Sequence, residues 1–240
     1  MTRTSGPVRA MVLAAGRGER LRPLTDRIPK PLIEVAGKTM LDRVLDALAA
    51  AGVVEAVVNT HHLAESVTRH VAGRTAPRLT LSHEDILLDT GGGVAKALPV
   101  LGAKPFYVAN SDIVVLDGIH PVFERLADAW RDADMDALLL VHPTVRAFGY
   151  DGLGDFVLTP DGVARRRRER EIAPYLFAGL QVLAPRLFDR CPDGPFSLNL
   201  LYDRAADAGR LHGLVHDGLW MHVGTPDALG GAEDYLKRVA

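Results

Sequence analysis

The chain has 240 residues, 48% hydrophobic and 24% charged, which is typical of a soluble globular protein able to build its own core. The single cysteine excludes an intramolecular disulfide framework, and the absence of an apolar run of roughly 20 residues argues against a membrane span. The N-terminal sequence lacks a secretory signal, so we expect a cytoplasmic protein. The formal net charge of −2 argues against a nucleic-acid-binding protein, yet residues 1–40 carry eight Lys or Arg and three Asp or Glu, a local balance of +5.

In the first half of the chain, predicted strands alternate with predicted helices. Short apolar runs rich in β-branched residues predict strands at 8–15, 53–59, 79–82 and 106–110. Apolar residues at helical spacing, or glycines that open a helix, predict helices at 39–51, 63–71 and 91–98. This alternation predicts an α/β fold with a mainly parallel sheet covered by helices.

The second half predicts a more mixed arrangement. Strands are expected at 137–142, 175–183, 211–216 and 219–223, and helices at 121–131, 198–208 and 226–240. The turn Pro160-Asp161-Gly162 predicts a hairpin of 156–158 with 163–165, and thus a small antiparallel insertion. No internal repeat or linker-like tract interrupts the chain, so we predict one domain over residues 1–240.

The most informative segment is the glycine loop after the first strand, residues 13–25 (LAAGRGERLRPLT). Gly16 and Gly18 allow a tight turn whose backbone N–H groups converge, an arrangement that binds phosphate oxygens. A dinucleotide loop would need a third glycine where Leu21 stands, and a P-loop would need a longer spacing followed by Lys and Ser or Thr. A tight turn without a ligand is the alternative.

Cations surround this loop. Arg17, Arg20, Arg22 and Lys30 lie close together in the sequence, and they would repel one another unless an anion were bound. An arginine can hold two phosphate oxygens at once, whereas a lysine acts as a compact point charge. We therefore predict Arg20 and Lys30 as the residues that contact phosphate.

The loop, together with residues 29–32 (PKPL), resembles the signature of the sugar-1-phosphate nucleotidyltransferases. Further segments similar to that family follow in the same order: 89–93 (DTGGG), 110–112 (NSD), 154–156 (GDF) and 220–225 (WMHVGT). The resemblance implies a Rossmann-like fold that binds a nucleoside triphosphate, a sugar 1-phosphate and Mg²⁺ and makes a nucleotide sugar and pyrophosphate. It also implies a nucleotide-binding half at about 1–115 and a sugar-binding half at about 116–240.

Within the family, the short length and the DTGGG block are most similar to the bacterial uridylyltransferases that act on N-acetylmuramate 1-phosphate in peptidoglycan recycling. Mannose-1-phosphate guanylyltransferases, or other hexose-1-phosphate nucleotidyltransferases, are alternatives. A weakly catalytic, nucleotide-sugar-binding regulatory subunit is an alternative from another class. The sequence leaves open whether the protein is a monomer or a dimer.

The resemblance also assigns site residues. Arg20 and Lys30 are the expected catalytic residues. The expected nucleotide-binding residues are Leu13, Ala14, Ala15, Gly16, Gly18, Asn59, Thr90, Gly91 and Gly92. The expected sugar-binding residues are Asn110, Gly154, Asp155 and Gly179.

Three further residues concern the metal and the sugar phosphate. Asp112 follows an apolar strand, where a carboxylate can hold Mg²⁺ against a phosphate, although it could instead cap the next segment. The family often has an acidic residue where this chain has His222, and imidazole is a poor ligand for Mg²⁺. Either Asp112 acts with phosphate and water, or His222 contacts phosphate, or Asp217 substitutes. Arg170, in an arginine-rich run, either holds the sugar phosphate or is solvated.

Overall fold

A computed structural model describes residues 6–239. The strands in that range are β1 (Arg9–Leu13), β2 (Glu34–Val35), β3 (Lys38–Thr39), β4 (Glu55–Thr60), β5 (Arg78–His83), β6 (Phe106–Asn110), β7 (Ile113–Leu116), β8 (Ala137–Pro143), β9 (Phe156–Leu158), β10 (Ala164–Arg166), β11 (Tyr175–Leu183), β12 (Leu211–Val215) and β13 (Leu219–His222). The helices are α1 (Met40–Ala50), α2 (Ala64–Val71), α3 (Asp89–Leu101), α4 (Val122–Ala129), α5 (Asn199–Asp207) and α6 (Pro226–Val239). None of the helices in this range is long and apolar enough to cross a membrane.

The central sheet has the order β5-β4-β1-β6-β11-β8-β12. Neighbouring strands from β5 to β6 are parallel, as are β8 and β12, whereas β11 runs antiparallel to both β6 and β8. The β9–β10 hairpin joins the start of β11 through Phe156 and Tyr175. The predicted α/β fold, with a mainly parallel sheet flanked by helices and a small antiparallel part, is therefore confirmed.

Both faces of this sheet are buried, as expected for parallel strands covered by helices. In β1, Ala10 and Val12 pack in one core cluster with residues of α1, α2 and α4, whereas Met11 packs in another with residues of α3 and α5. The alternation follows from the two-residue period of a strand. Because β1 is packed on both faces, its carboxyl end, where the glycine loop begins, is held in a fixed position.

The chain also forms two short strand pairs that the sequence analysis missed in whole or in part. β2 and β3 form a small hairpin, and β7 pairs with β13 so that Ile113 lies opposite His222. The prediction of a strand at 219–223 is confirmed, but its partner β7 was not predicted because it follows β6 after only two residues. This pairing brings His222 beside Asp112.

Candidate active site

A cavity of about 660 Å³ opens at the carboxyl ends of β1, β4 and β6, where ligands commonly bind in open α/β sheets. Its volume lies in the range typical of small-molecule sites. Most of the predicted residues line it: Leu13, Ala14, Ala15, Gly16, Gly18, Arg20, Lys30, Asn59, Thr90, Asn110 and Asp112. The wall also includes residues that were not predicted as site residues: Arg17, Glu19, Pro31, Glu84, Leu87, Asp89, Ser111 and Gly224.

The two glycines of the loop have different roles. Gly18 has φ +64°, and a Cβ atom there would lie 2.9 Å from Thr25 Cγ2 and 3.0 Å from Lys30 Cβ. The Thr25 hydroxyl also donates a hydrogen bond to the Gly18 carbonyl oxygen at 2.9 Å. At Gly16, by contrast, a Cβ atom would meet nothing within 4 Å. The fold itself requires Gly18, whereas Gly16 leaves open space at the cavity wall.

Lys30 and Asp112, predicted separately, form an ion pair. Lys30 Nζ lies 2.7 Å from Asp112 Oδ2, and their side chains are 9% and 41% exposed. Lys30 begins a 3-10 turn after Pro29, whose extended backbone directs the lysine toward the carboxyl end of β6. The structure thus places a buried cation and a more accessible carboxylate next to each other on the cavity wall.

The imidazole of His222 contacts the guanidinium of Arg20. The Nε2 atom of His222 is 3.5 Å from Arg20 Nη1, and because a guanidinium can only donate, Nε2 is the acceptor. Burial lowers the pKa of His222, and the positive charges of Arg20 and Lys30 lower it further, while Asp112 opposes them. A neutral imidazole that faces Arg20 fits a role in orienting that side chain.

The donor set fits a magnesium ion held jointly with a phosphate. Mg²⁺ in nucleotide sites takes one or two carboxylates and completes its shell with phosphate and water. Asp112 supplies one carboxylate that is partly exposed to the cavity, and residues 6–239 contain no cluster of three or more His, Cys, Asp or Glu side chains that could hold a metal. Asp217 pairs with Arg125 at 2.6 Å and is not part of the cavity wall.

The glycines of residues 91–93 lie inside the first turns of α3, where each approaches other parts of the protein. A Cβ atom on Gly91 would lie 2.3 Å from the Phe196 ring, and one on Gly92 would lie 2.4 Å from the Gly194 carbonyl oxygen. The backbone N–H groups of Gly91 and Gly92 both donate to the Phe196 carbonyl oxygen, at 2.8 and 3.1 Å. Neither glycine lines the cavity, whereas Thr90 does, so base contacts by this block remain a prediction.

Two of the predicted sugar-binding residues come together. Gly179 has φ +84° at the irregularity of β11, and a Cβ atom there would lie 3.3 Å from Asn110 Cβ. Asp155 instead accepts a hydrogen bond from the Phe177 backbone N–H at 2.8 Å. A Cβ atom on Gly154 would meet the Ala173 carbonyl oxygen, so packing requires that glycine.

The arginine-rich run is mostly paired or solvated. Arg165 forms two hydrogen bonds with Glu171, and Arg166 pairs with Asp203 at 2.6 Å. Arg170 is exposed in a turn at φ +63° and does not line the cavity. Its proposed contact with a sugar phosphate remains a prediction.

Glu84 is the main site residue that the sequence analysis missed. It is 1% exposed, lies just after β5 and accepts hydrogen bonds from Asn59 Nδ2 at 2.7 Å and from the Leu88 backbone N–H at 2.9 Å. An acidic residue two positions after a predicted strand was the available signal, the same signal that identified Asp112. Asn59 in turn accepts a hydrogen bond from the Ala14 N–H at 2.7 Å, so its side chain braces the loop.

Comparison with known proteins agrees with this geometry. The profile of the family described as "Nucleotidyl transferase" matches residues 9–153. The chain is 43% identical over 238 residues to the N-acetylmuramate alpha-1-phosphate uridylyltransferase of Caulobacter vibrioides, covering 97% of this chain and 98% of the relative. It is 33% identical over 222 residues to the enzyme of the same name from Neisseria meningitidis, covering 91% and 94%.

A solved structure shows the same fold. A Bacillus anthracis protein assigned as a glucose-1-phosphate thymidylyltransferase superposes with a TM-score of 0.80 over 97% of this chain and 96% of that one, at 16% identity.

Proposed function

Because the chain belongs to the nucleotidyl transferase family, we propose that it transfers a uridylyl group from UTP to N-acetylmuramate 1-phosphate, forming the UDP-sugar and pyrophosphate. The observation that carries the proposal is the cavity in which a glycine loop, Arg20 and Lys30 meet the Asp112 carboxylate. The similarity to the two uridylyltransferases supports the choice of base and sugar. The proposal places the reaction in the cytoplasm, where UTP is available.

The proposed reaction is a direct displacement at the α-phosphorus. A new P–O bond forms between an oxygen of the sugar phosphate and the α-phosphorus, and the bond from that phosphorus to the α–β bridging oxygen breaks. The attacking phosphate is already ionised at neutral pH, so no general base is needed. The main obstacle is the repulsion between two anions, which alignment and charge neutralisation overcome.

The charged residues would divide this work. Lys30 and Arg20 bind phosphate oxygens, and the ion pair between Lys30 and Asp112 opens as the lysine turns to phosphate. Asp112 is then available for Mg²⁺, which when bound supplies positive charge at the phosphate oxygens. His222 orients Arg20 through the contact between Nε2 and the guanidinium.

The second half of the chain would supply the sugar site, with residues of about 1–115 binding the nucleotide. The start of β11 extends past the carboxyl end of β6, because Leu180 pairs with Ala109 and Tyr175 pairs with Phe156 of the hairpin. A Cβ atom on Gly179 would lie 2.5 Å from Ile113 Cδ1, so this glycine packs against protein, and Asn110, which lines the cavity, is the candidate for contact with the sugar. Asp155, just before β9, and Arg170, between β10 and β11, are candidates for contacts with sugar hydroxyls and with the sugar phosphate.

A matrix of nucleoside triphosphates and sugar 1-phosphates tests the proposal. The purified protein is incubated with Mg²⁺ and each pair of substrates, and pyrophosphate release is measured. We expect UTP with N-acetylmuramate 1-phosphate to be the fastest pair. A strong preference for GTP with mannose 1-phosphate would refute the substrate assignment, and ligand-induced thermal shifts without turnover would indicate a binding subunit.

Lys30 tests the proposed site within the same assay. Replacing it with alanine removes a preorganised positive charge, and we expect kcat/KM to fall by at least about 100-fold. Lys38→Ala is the matched control, because Lys38 pairs with Asp46 and does not line the cavity. Similar activities for the two variants would contradict the assignment of Lys30.

A further inference from the structure

The peptide unit that joins Leu13 to Ala14 has both of its polar groups bound by side chains at the carboxyl ends of the neighbouring strands. Asn59 Oδ1, from the end of β4, accepts the Ala14 N–H at 2.7 Å. Ser111 Oγ, from just after β6, donates to the Leu13 carbonyl oxygen at 2.6 Å, and the Ser111 N–H donates to the same oxygen at 3.2 Å. The Ser111 N–H bond continues the pairing of β1 with β6, and the two side-chain bonds set the direction in which the chain enters the loop of Gly16 and Gly18.

Glu84 determines how the Asn59 amide is oriented. Its Oε1 atom lies 2.7 Å from Asn59 Nδ2, and its Oε2 atom accepts the Leu88 N–H at 2.9 Å. An ionised carboxylate can only accept hydrogen bonds, so Asn59 must present its NH₂ group to Glu84 and its oxygen to Ala14. Asn59 and Glu84 are 3% and 1% exposed, so water cannot readily replace either bond.

The glycine at position 93 provides space for this pair. A Cβ atom there would lie 2.9 Å from both Asn59 Nδ2 and Glu84 Oε1. The first turns of α3 therefore pass directly over the hydrogen bond between the two side chains. Side chains at the carboxyl ends of β4 and β6 thus hold a single peptide unit, and Glu84 after β5 and Gly93 of α3 pack against one of them, Asn59.

We propose that Asn59 and Glu84 are positioning residues that hold the Leu13–Ala14 peptide, and with it the glycine loop, in the orientation that nucleotidyl transfer requires. The inference rests on the proposed function, in which this loop binds the triphosphate. Ser111 binds the same peptide and directly precedes Asp112 in the chain, so the positions of the loop and of the proposed metal-binding carboxylate are linked. Displacing bound groups by about 1 Å can reduce a rate on the order of 100-fold.

Reversing the polarity of the hydrogen bond between residues 59 and 84 tests this proposal. Asn59→Asp alone places two carboxylates within hydrogen-bond distance, where both cannot remain ionised without repulsion. Glu84→Gln alone must give up one bond, because Asn59 and Leu88 donate to different oxygens of the carboxylate and one of these becomes an NH₂ donor. In the double variant, the new amide at position 84 donates to the new carboxylate at position 59 and accepts from Leu88. That carboxylate also accepts the Ala14 N–H, so all the bonds and the net charge are retained.

We expect kcat/KM for UTP to fall about 100-fold in Asn59→Asp and about 10-fold in Glu84→Gln, and to return to within about threefold of the parent in the double variant. Tyr202→Phe is the control for the loss of a buried hydrogen bond, since the Tyr202 hydroxyl donates to Gln181 away from the cavity. It should lower Tm but leave kcat/KM unchanged.

Two outcomes would overturn the proposal. One is parental kcat/KM in Asn59→Asp. The other is a double variant that regains the parental Tm but remains as slow as Asn59→Asp. If the double variant does not fold, Glu84→Gln is compared with Tyr202→Phe, since each loses one buried hydrogen bond: a kcat/KM lower by about 10-fold in Glu84→Gln alone supports the positioning role, at the order expected for a supporting residue, and an equal kcat/KM in the two variants refutes it.

Amide hydrogen exchange separates this inference from the proposed function. If the parent transfers no nucleotide to any sugar phosphate, the proposed function fails. Exchange at the Ala14 N–H, followed by NMR, still reports on the hydrogen bond to Asn59. We expect that amide to be protected in the parent and in the double variant and to exchange faster in Asn59→Asp. Equal exchange in all three would contradict the role of the pair in holding this peptide.

Discussion

Gly16 and Gly18 lie two residues apart in one loop, and their surroundings predict opposite responses to alanine. Gly18 has φ +64°, in the left-handed region, and a methyl group there would press on Thr25 Cγ2 and Lys30 Cβ. Gly16 lies outside that region, and a methyl group there would contact no other protein atom within 4 Å. The pair therefore separates what the fold requires from what a ligand requires.

The cost at Gly18 can be estimated from its geometry. The left-handed conformation costs a non-glycine residue about 1–2 kcal/mol, and crowding in a packed region adds about 1–3 kcal/mol. The smaller conformational freedom of alanine in the unfolded chain returns about 0.4–1 kcal/mol. The net loss of unfolding free energy is about 3 kcal/mol, equivalent to a fall in Tm of about 6–12 °C for a chain of this length. At Gly16 only the unfolded-state gain applies, so Tm should stay the same or rise slightly.

Thermal unfolding and steady-state kinetics on the same preparations measure both effects. We expect Gly16→Ala to keep its Tm within about 2 °C of the parent and to raise the KM for UTP at least about 10-fold, because its methyl group fills space where phosphate oxygens would lie. Equal losses of Tm in the two variants would refute the backbone argument. A parental KM for UTP in Gly16→Ala would show that phosphate does not lie against this glycine.

Three further predictions follow from the charges. Arg20→Ala should lower kcat/KM at least about 100-fold. Arg22→Ala is the control and should change kcat/KM less than about threefold, because the Arg22 guanidinium pairs with Asp26 outside the cavity. Equal kinetics in the two variants would contradict the role of Arg20. Asp112→Asn should weaken the binding of Mn²⁺, used as an EPR probe in the presence of UTP, at least about 10-fold, and unchanged binding would exclude this carboxylate as a metal ligand. Burial lowers the pKa of His142 and of His216, so below about pH 6.5 the unfolded chain binds more protons than the folded one. Urea unfolding should therefore give a lower unfolding free energy at about pH 5.5 than at about pH 7.5, and an equal or higher value at the acidic pH would contradict this reasoning.

Most of the fold follows from local signals in the sequence. The apolar residues of α1 recur at helical spacing after Thr39, whose hydroxyl accepts the Asp42 N–H, and the helix ends just before Gly52. The strands at 106–110 and 175–183 have the predicted bounds. β7 could not be predicted in this way, because it forms a strand by pairing with β13, which is distant in the sequence.

The site was only partly predictable, for a related reason. The cations and the glycines are local features of residues 13–31, and the sequence alone indicated an anion site there. The roles of Ser111 and Glu84 depend instead on the registers of β1 with β4 and β6 and of β4 with β5, which bring Asn59 and Ser111 to one peptide and Glu84 to Asn59. No local pattern carries that information.

The triple glycine shows how one pattern can have two causes. Three adjacent glycines indicate that other atoms approach the backbone closely, and in the structure each of them faces protein: the Phe196 ring, the Gly194 backbone and the pair of Asn59 and Glu84. A glycine that admits a ligand and a glycine that admits another segment of the chain are identical in sequence. Within residues 89–93, Asp89 and Thr90 line the cavity and still connect this block with a ligand.

The excess of positive charge in the first 40 residues does not by itself explain how the cavity would bind a triphosphate. Within the described residues, the cavity wall carries three cations, Arg17, Arg20 and Lys30, but also the four acidic residues Glu19, Glu84, Asp89 and Asp112. Several other cations of that stretch are paired outside the cavity, among them Arg22 with Asp26 and Lys38 with Asp46. The lining as a whole is therefore not strongly positive, and a tetra-anionic triphosphate would meet a formal charge near zero. A divalent cation bound at Asp112 changes that balance, so the proposed function requires nucleotide and metal to bind together rather than the basic loop to act alone.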